Sequence, residues 1–261
     1  MPCRTIAVAN QKGGTGKTTT TLSLGVALAQ KGKRVLLVDT DPQGDLTKCL
    51  GWADPDSLDL TLADHIQAII DGRELDSREG ILSHVEGVDL MPANINLAGT
   101  EMSIFMAMSR ERILSTWLEP LKRSYDFVIF DCAPTLGIIP VNAFVASDSV
   151  LVPVSAEYLP AYAMICLLET IGRVRRQINP TLEVEGILIT LFSTRNNLSK
   201  EIDKTIRVQY GGTYRVFETI IPRAVSAAET AATGVSIFKY DRRGKVASAF
   251  AQLADEVMGD E

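Results

Sequence analysis

The chain has 261 residues, 46% hydrophobic and 22% charged, with a formal net charge of −6. That length and apolar content suffice for one large α/β core or two small ones, and they exclude a disordered or fibrous chain. The acidic balance argues against a protein that coats nucleic acid, and no stretch reaches the ~20 uninterrupted apolar residues of a membrane helix.

Apolar runs and helical periodicity alternate along the chain. Residues 5–9 read as a buried strand and 17–30 as the helix after it, with Gly32 as a stop signal. Residues 34–39 form a second strand. A helix is predicted around 62–70 and a short strand over 88–91, before Pro92. Residues 96–123 read as one long helix offering Leu97, Ile104, Met108, Ile113 and Leu118 to a core. Strands follow at 127–131 and 150–153 with a short helix between them. Then come a helix over 161–178, a strand over 184–191, a helix over 200–210, a strand over 214–221 and a closing helix over 245–258. Strands alternating with helices, without linker, repeat or low-complexity tract, predict a single α/β domain over residues 1–261. The richest apolar stretch, 137–154, is interrupted by Pro140, Asn142, Asp148 and Pro153. Cys3, Cys49, Cys132 and Cys166 form neither a CxxC pair nor a metal-ligand spacing, so isolated reduced thiols and a cytoplasmic location are expected.

Three segments carry chemistry. The first is Asn10-Gln11-Lys12-Gly13-Gly14-Thr15-Gly16-Lys17-Thr18-Thr19, set between the first strand and its helix. That context makes a glycine loop a phosphate site, because Gly13, Gly14 and Gly16 let successive N–H groups converge on an anion. The helix that follows adds its N-terminal N–H groups and positive dipole end. Lys17 is expected to reach the β- and γ-phosphates, and Thr18 to ligate Mg²⁺ through its hydroxyl. Lys17 already serves one phosphate cluster. The additional Lys12 is therefore read as pointing outward, toward a nucleotide held by a second subunit. The other two segments are buried-strand patterns ending in acids: residues 34–39, with Asp39 followed by Asp41, and residues 125–131, ending in Asp131. Ligands collect beyond the carboxyl ends of parallel strands, which places Asp39, Asp41 and Asp131 near the loop. Asp131 is expected to hold Mg²⁺ through its water shell.

The order Lys12 to Thr19 resembles the deviant Walker A loop of the ParA/MinD group of ATPases, in which the first lysine crosses the interface of an ATP-sandwiched dimer. The stretch Asp39 to Gly44 resembles the group's second signature. Residues 131–137, 142–148, 185–190 and 221–223 look like the ParA/Soj partition ATPases, and most of the chain aligns with them. The resemblance implies a P-loop NTPase fold, a mostly parallel twisted sheet flanked by helices on both faces. It implies ATP and Mg²⁺ as ligands, with Gly13, Gly14, Thr15, Gly16, Lys17, Thr18 and Thr19 around the phosphates and Pro222 and Arg223 at the adenine. It gives Lys12, Lys17 and Asp41 catalytic roles, Asp41 helping to place the attacking water, and sets Thr18, Asp39 and Asp131 about the metal.

The resemblance further implies an ATP-dependent homodimer that binds DNA non-specifically on the nucleoid. Its weak hydrolysis would be stimulated by a ParB-type centromere-binding protein. Charge is uneven in a way that suits this: Lys and Arg number 13 against 21 Asp and Glu over residues 1–170, but 13 against 11 over 171–261. Arg195 falls where Soj-type proteins carry an arginine needed for DNA binding, and Lys200, Lys204, Arg242 and Arg243 are further candidates. Ala224 and Ser226 depart from the Asn and Arg that the family commonly has there. The alternative is a ParA-like ATPase that positions a protein cargo, such as a carboxysome or chemoreceptor cluster. A MinD-like membrane ATPase is a remote alternative, because residues 253–261 are acidic where a basic amphipathic helix would be needed.

Overall fold

Along each central strand, alternate side chains enter two separate apolar layers. Ile6, Val8, Leu37, Phe127 and Ile129 face one layer, and their neighbours Ala7, Leu36, Val38, Val128 and Phe130 face the other. Strands apolar on both sides are stable only when helices cover both faces. The computed structural model describes residues 2–157 and 161–259.

In chain order the elements are β1 (Arg4–Val8), α1 (Lys17–Gln30), β2 (Val35–Thr40), α2 (Asp45–Cys49), α3 (Leu62–Asp71), β3 (Leu82–Ser83), β4 (Val88–Met91), α4 (Asn96–Met106), α5 (Ile113–Leu118), β5 (Phe127–Cys132), α6 (Ile138–Ala146), β6 (Ser149–Ser155), α7 (Ala161–Gln177), β7 (Glu183–Phe192), α8 (Asn197–Tyr210), β8 (Val216–Pro222), α9 (Val225–Thr233), α10 (Ile237–Tyr240) and α11 (Lys245–Met258). They form one eight-stranded sheet in the order β3-β4-β2-β5-β1-β6-β7-β8. All pairings are parallel except that of β3 with β4. Helices α1 and α11 cover one face through Leu24, Leu28, Phe250 and Leu253. Helices α3 to α8 cover the other, through Ile66, Trp117, Phe144, Leu167 and Ile202 among others. No helix of the described residues is long and apolar enough to cross a membrane.

The sheet fixes where a ligand can sit. Neighbouring strands β1 and β5 pair from Arg4↔Phe127 to Val8↔Asp131, yet α1 leaves β1 on one face and α6 leaves β5 on the other. Their divergence opens a crevice at the carboxyl edge, the switch point of a doubly wound sheet.

The single helix expected over 96–123 is two helices. α4 stops where Ala107 turns extended, Ser109 takes a φ of 52°, and a short turn precedes α5. A side chain from α6 stabilises the break. Asn142 accepts from the Leu114 N–H (3.2 Å) and donates to the Arg110 carbonyl (2.8 Å), which satisfies backbone groups that a continuous helix would have paired internally. Met108 accordingly lies 95% exposed and takes no place in the core, whereas Leu97, Ile104, Ile113 and Leu118 are buried. Helices α2, α9 and α10 and strand β3 are additions to the elements read from sequence.

Gly44 links this framework to the site. It opens α2 at a φ of 64°, and a Cβ there would lie 2.9 Å from the Ala93 carbonyl oxygen. Gly44→Ala is expected to cost about 2 kcal/mol or more, from the left-handed backbone and the contact with a carbonyl that cannot retreat. A urea denaturation midpoint equal to that of the parent chain would refute this.

Candidate functional site

The loop between β1 and α1 is shaped by two residues of positive φ, Gly14 (71°) and Gly16 (83°). Its base is pinned at both sides. Asn10 donates from its side-chain amide to the Pro153 carbonyl (2.7 Å) and accepts from the Lys12 N–H (3.0 Å). From β7, Thr190 donates its hydroxyl to the Thr15 carbonyl (2.8 Å). No side chain caps α1, and its first turn contains no acid. The N–H groups and positive dipole end of a 14-residue helix therefore face the loop without an internal anion. The buried Lys17 ammonium donates to the Lys12 carbonyl (3.3 Å). Burial lowers its pKa, while Asp131 and Asp41 pull the other way.

The acids gather beneath the same helix. Asp131 accepts from the Thr18 hydroxyl (2.7 Å) and from that of Thr21 (3.3 Å), and the Thr40 hydroxyl donates to the Asp131 carbonyl (2.6 Å). Asp39, its register partner across β2 and β5, accepts from the N–H (3.0 Å) and hydroxyl (2.7 Å) of Thr47 and from the Asp41 N–H (3.1 Å). Burial pushes Asp131 up to about 7, with Thr18 and Lys17 opposing. Burial, and then the proximity of Asp131, pushes Asp39 up to about 8.

Two carboxyls driven toward neutrality mark a place short of positive charge. The donors that face it, the Thr18 hydroxyl and the Asp131 carboxylate, are hard oxygens suited to a small divalent cation. Among the described residues no cluster of three or more His, Cys, Asp or Glu side chains is placed to hold a metal alone. A cation there would draw on one or two protein oxygens, with phosphate oxygens and water completing its shell.

Beside the loop lies a cavity of about 320 Å³, lined by Gly14, Gly16, Thr19, Pro222 and Arg223 among others. The Arg223 N–H donates to the Phe192 carbonyl (2.9 Å), and its guanidinium pairs with Glu157. The structure thus brings Gly14, Gly16, Lys17, Thr18, Thr19, Asp39, Asp41, Asp131, Pro222 and Arg223 to one edge of the sheet. Gly13 and the exposed side chain of Lys12 lie in the same loop.

Of the basic residues, Arg195 is exposed just beyond β7, and Lys200 and Lys204 are exposed one turn apart on α8. Arg242, with the exposed Arg243 beside it, borders a different depression next to Glu86 and Gln30. Gln30 ends α1, roughly 20 Å of helix from the loop at 1.5 Å per residue.

Asn10, Thr47, Thr190 and Glu157 were not singled out by sequence. Each acts through a contact with another element, and only Asn10, the first residue of the loop, carried a positional signal.

Comparison with known proteins places this geometry in a family. Residues 3–184 match a family model described as an AAA domain. The chain is 40% identical over 252 residues to the sporulation initiation inhibitor protein Soj of Bacillus subtilis, covering 97% of each chain. It is 36% identical over 262 residues to the chromosome partitioning protein ParA of Caulobacter vibrioides, covering 100% of this chain and 96% of that one. Among solved structures, one titled cobyrinic acid a,c-diamide synthase from Mycobacterium smegmatis, with bound ATP analog and magnesium, superposes with a TM-score of 0.86 at 36% identity. It covers 98% of this chain and 94% of that one. The same protein is also described with ADP and magnesium, at a TM-score of 0.85. The Soj and ParA relatives match over nearly the whole length of both partners, and on that ground the chain belongs to the ParA/Soj family of partition ATPases.

Proposed function

We propose that this protein is an ATP-driven switch for DNA residence. It binds ATP with Mg²⁺, dimerises around the nucleotide, associates non-specifically with DNA and is released when a partner stimulates hydrolysis. The observation that carries the reading is the convergence of Thr18 on Asp131 (2.7 Å) under the uncapped start of α1, in a loop with lysines at both ends. The loop N–H groups and Lys17 bind the β- and γ-phosphates. Thr18 and Asp131 hold the cation, which neutralises phosphate charge. Asp41 orients the attacking water from its place just beyond Asp39. Lys12 projects from the loop toward the nucleotide of the second subunit.

Energetics favour control through dimerisation. Contacts to phosphates are individually weak and salt-sensitive, with non-specific Kd values of ~10⁻⁴ to 10⁻⁶ M. Two linked patches gain avidity without any new contact. A ParB-type partner offering a basic residue in trans would raise the hydrolysis rate, and ATP turnover would then set how long DNA is held.

Three measurements test this. Lys12→Ala is expected to keep ATP binding by the monomer while the ATP-dependent dimer is lost; light scattering that finds wild-type dimer content removes the cross-subunit role. Asp41→Ala is expected to lower turnover ~10²-fold and trap the ATP dimer. Normal steady-state hydrolysis would assign water positioning to another group. In gel shifts on non-specific duplex DNA, binding is expected only with ATP, to fall steeply with added salt, and to weaken in Arg195→Ala. Binding indifferent to nucleotide would overturn the switch.

A further inference from the structure

A phosphate loop grips what all nucleoside triphosphates share, so the choice of base must be made elsewhere. The cavity beside the loop has apolar surface from Leu191, Pro222 and Phe250, and a polar mouth made by Glu157 and Arg223. Leu191 has a φ of 52° and sits where the pairing of β7 with β8 slips between Ile189 and Phe192. A leucine held in the left-handed region at such an irregularity is a strained position of the kind found at ligand sites. Glu157 lies two residues beyond β6 and Arg223 immediately after β8, so their ion pair spans the end of β7. The two side chains keep 41% and 67% exposure, and a pair so wet adds little to stability. Arg223 engages only Oε1. Among the described residues, Oε2 of Glu157 accepts no hydrogen bond.

We infer that Glu157, held at the cavity mouth by Arg223, is the residue that selects adenine over guanine. Its unengaged carboxylate oxygen accepts from the exocyclic amine of adenine. Guanine presents a carbonyl oxygen at the equivalent position, which the carboxylate repels and to which it cannot donate. A carboxylate oxygen accepts the hydrogen bond of an amine but only repels a carbonyl oxygen, so the two bases differ by at least one charge-assisted hydrogen bond. The inference rests on the nucleotide reading above and adds to it the residue that sets base specificity.

The test is titration calorimetry with ATP, GTP and inorganic triphosphate, each with Mg²⁺, on the full chain and on Glu157→Gln, Glu157→Ala and Lys17→Ala. The parent chain is expected to prefer ATP. In Glu157→Gln the side-chain amide can donate to a carbonyl, so the ATP-over-GTP preference falls about tenfold or more, with GTP affinity rising. Glu157→Ala loses ATP affinity without gaining GTP. Both variants hold triphosphate as the parent does, whereas Lys17→Ala does not. An unchanged ATP/GTP ratio in both Glu157 variants overturns the inference, as does an equal loss for all three ligands, the mark of a merely structural residue. If the parent chain binds neither ATP nor triphosphate, the nucleotide reading itself falls.

Discussion

Asp39 and Asp131 stand in register on adjacent parallel strands, both almost wholly removed from water, and the rest of the site answers to that juxtaposition. Two buried carboxylates a strand apart cannot both ionise without hydrogen bonds and a nearby cation. Thr47 and the Asp41 N–H serve the first, and Thr18, Thr21 and Lys17 the second. The residual imbalance is visible in carboxyls raised to about 8 and about 7. Folding raises both above the ordinary carboxyl value of 3.8, so the ionised pair opposes folding progressively as pH climbs from that value toward 7 to 8. A divalent cation held beside Asp131 would reverse the sign of its surroundings and offset that opposition. Cation binding and the stability of this edge would then be coupled through one pair of acids.

Topology explains why those acids meet the loop at all. β1 and β5 are neighbours, but their following helices depart to opposite faces, so the carboxyl ends of both strands are left uncovered. The phosphate loop fills one side of the opening and Asp131 the other. β2 completes the set, since its own pairing with β5 carries Asp39 to the same level. Fold and site are one arrangement: moving β2 or β5 by one residue would turn its acid from the crevice into a packed layer.

The parts legible in the sequence are those whose signal is local. The glycine loop between a strand and a helix, the apolar runs ending in Asp39 and Asp131, and the capped or glycine-stopped helices all encode their geometry within a few residues. The break between α4 and α5 was not legible, because the groups it frees are paired by Asn142 from another helix, and a helical count passes smoothly through it. Thr47 and Thr190 were missed for the same reason. A threonine holding a carboxylate or a loop carbonyl across the sheet looks, in sequence, like any threonine. The charge of the last third was visible as a sum, yet its distribution was not: Arg195 lies beyond β7, while Arg242 borders the far end of α1.

Lys12 and Lys17 show how one short loop places two lysines in different surroundings. The Lys12 N–H is held by Asn10 and its carbonyl by the Lys17 ammonium, so the backbone on both sides of its Cα is fixed by the loop's own structure. The side chain is meanwhile exposed. That anchoring fixes where the side chain starts, while its own rotamer freedom is still lost in any contact it makes. Lys17, whose ammonium meets the Lys12 carbonyl, is instead buried, and that burial lowers its pKa. One loop therefore presents two ammonium groups in contrasting settings, one buried in its own crevice and the other exposed at the surface.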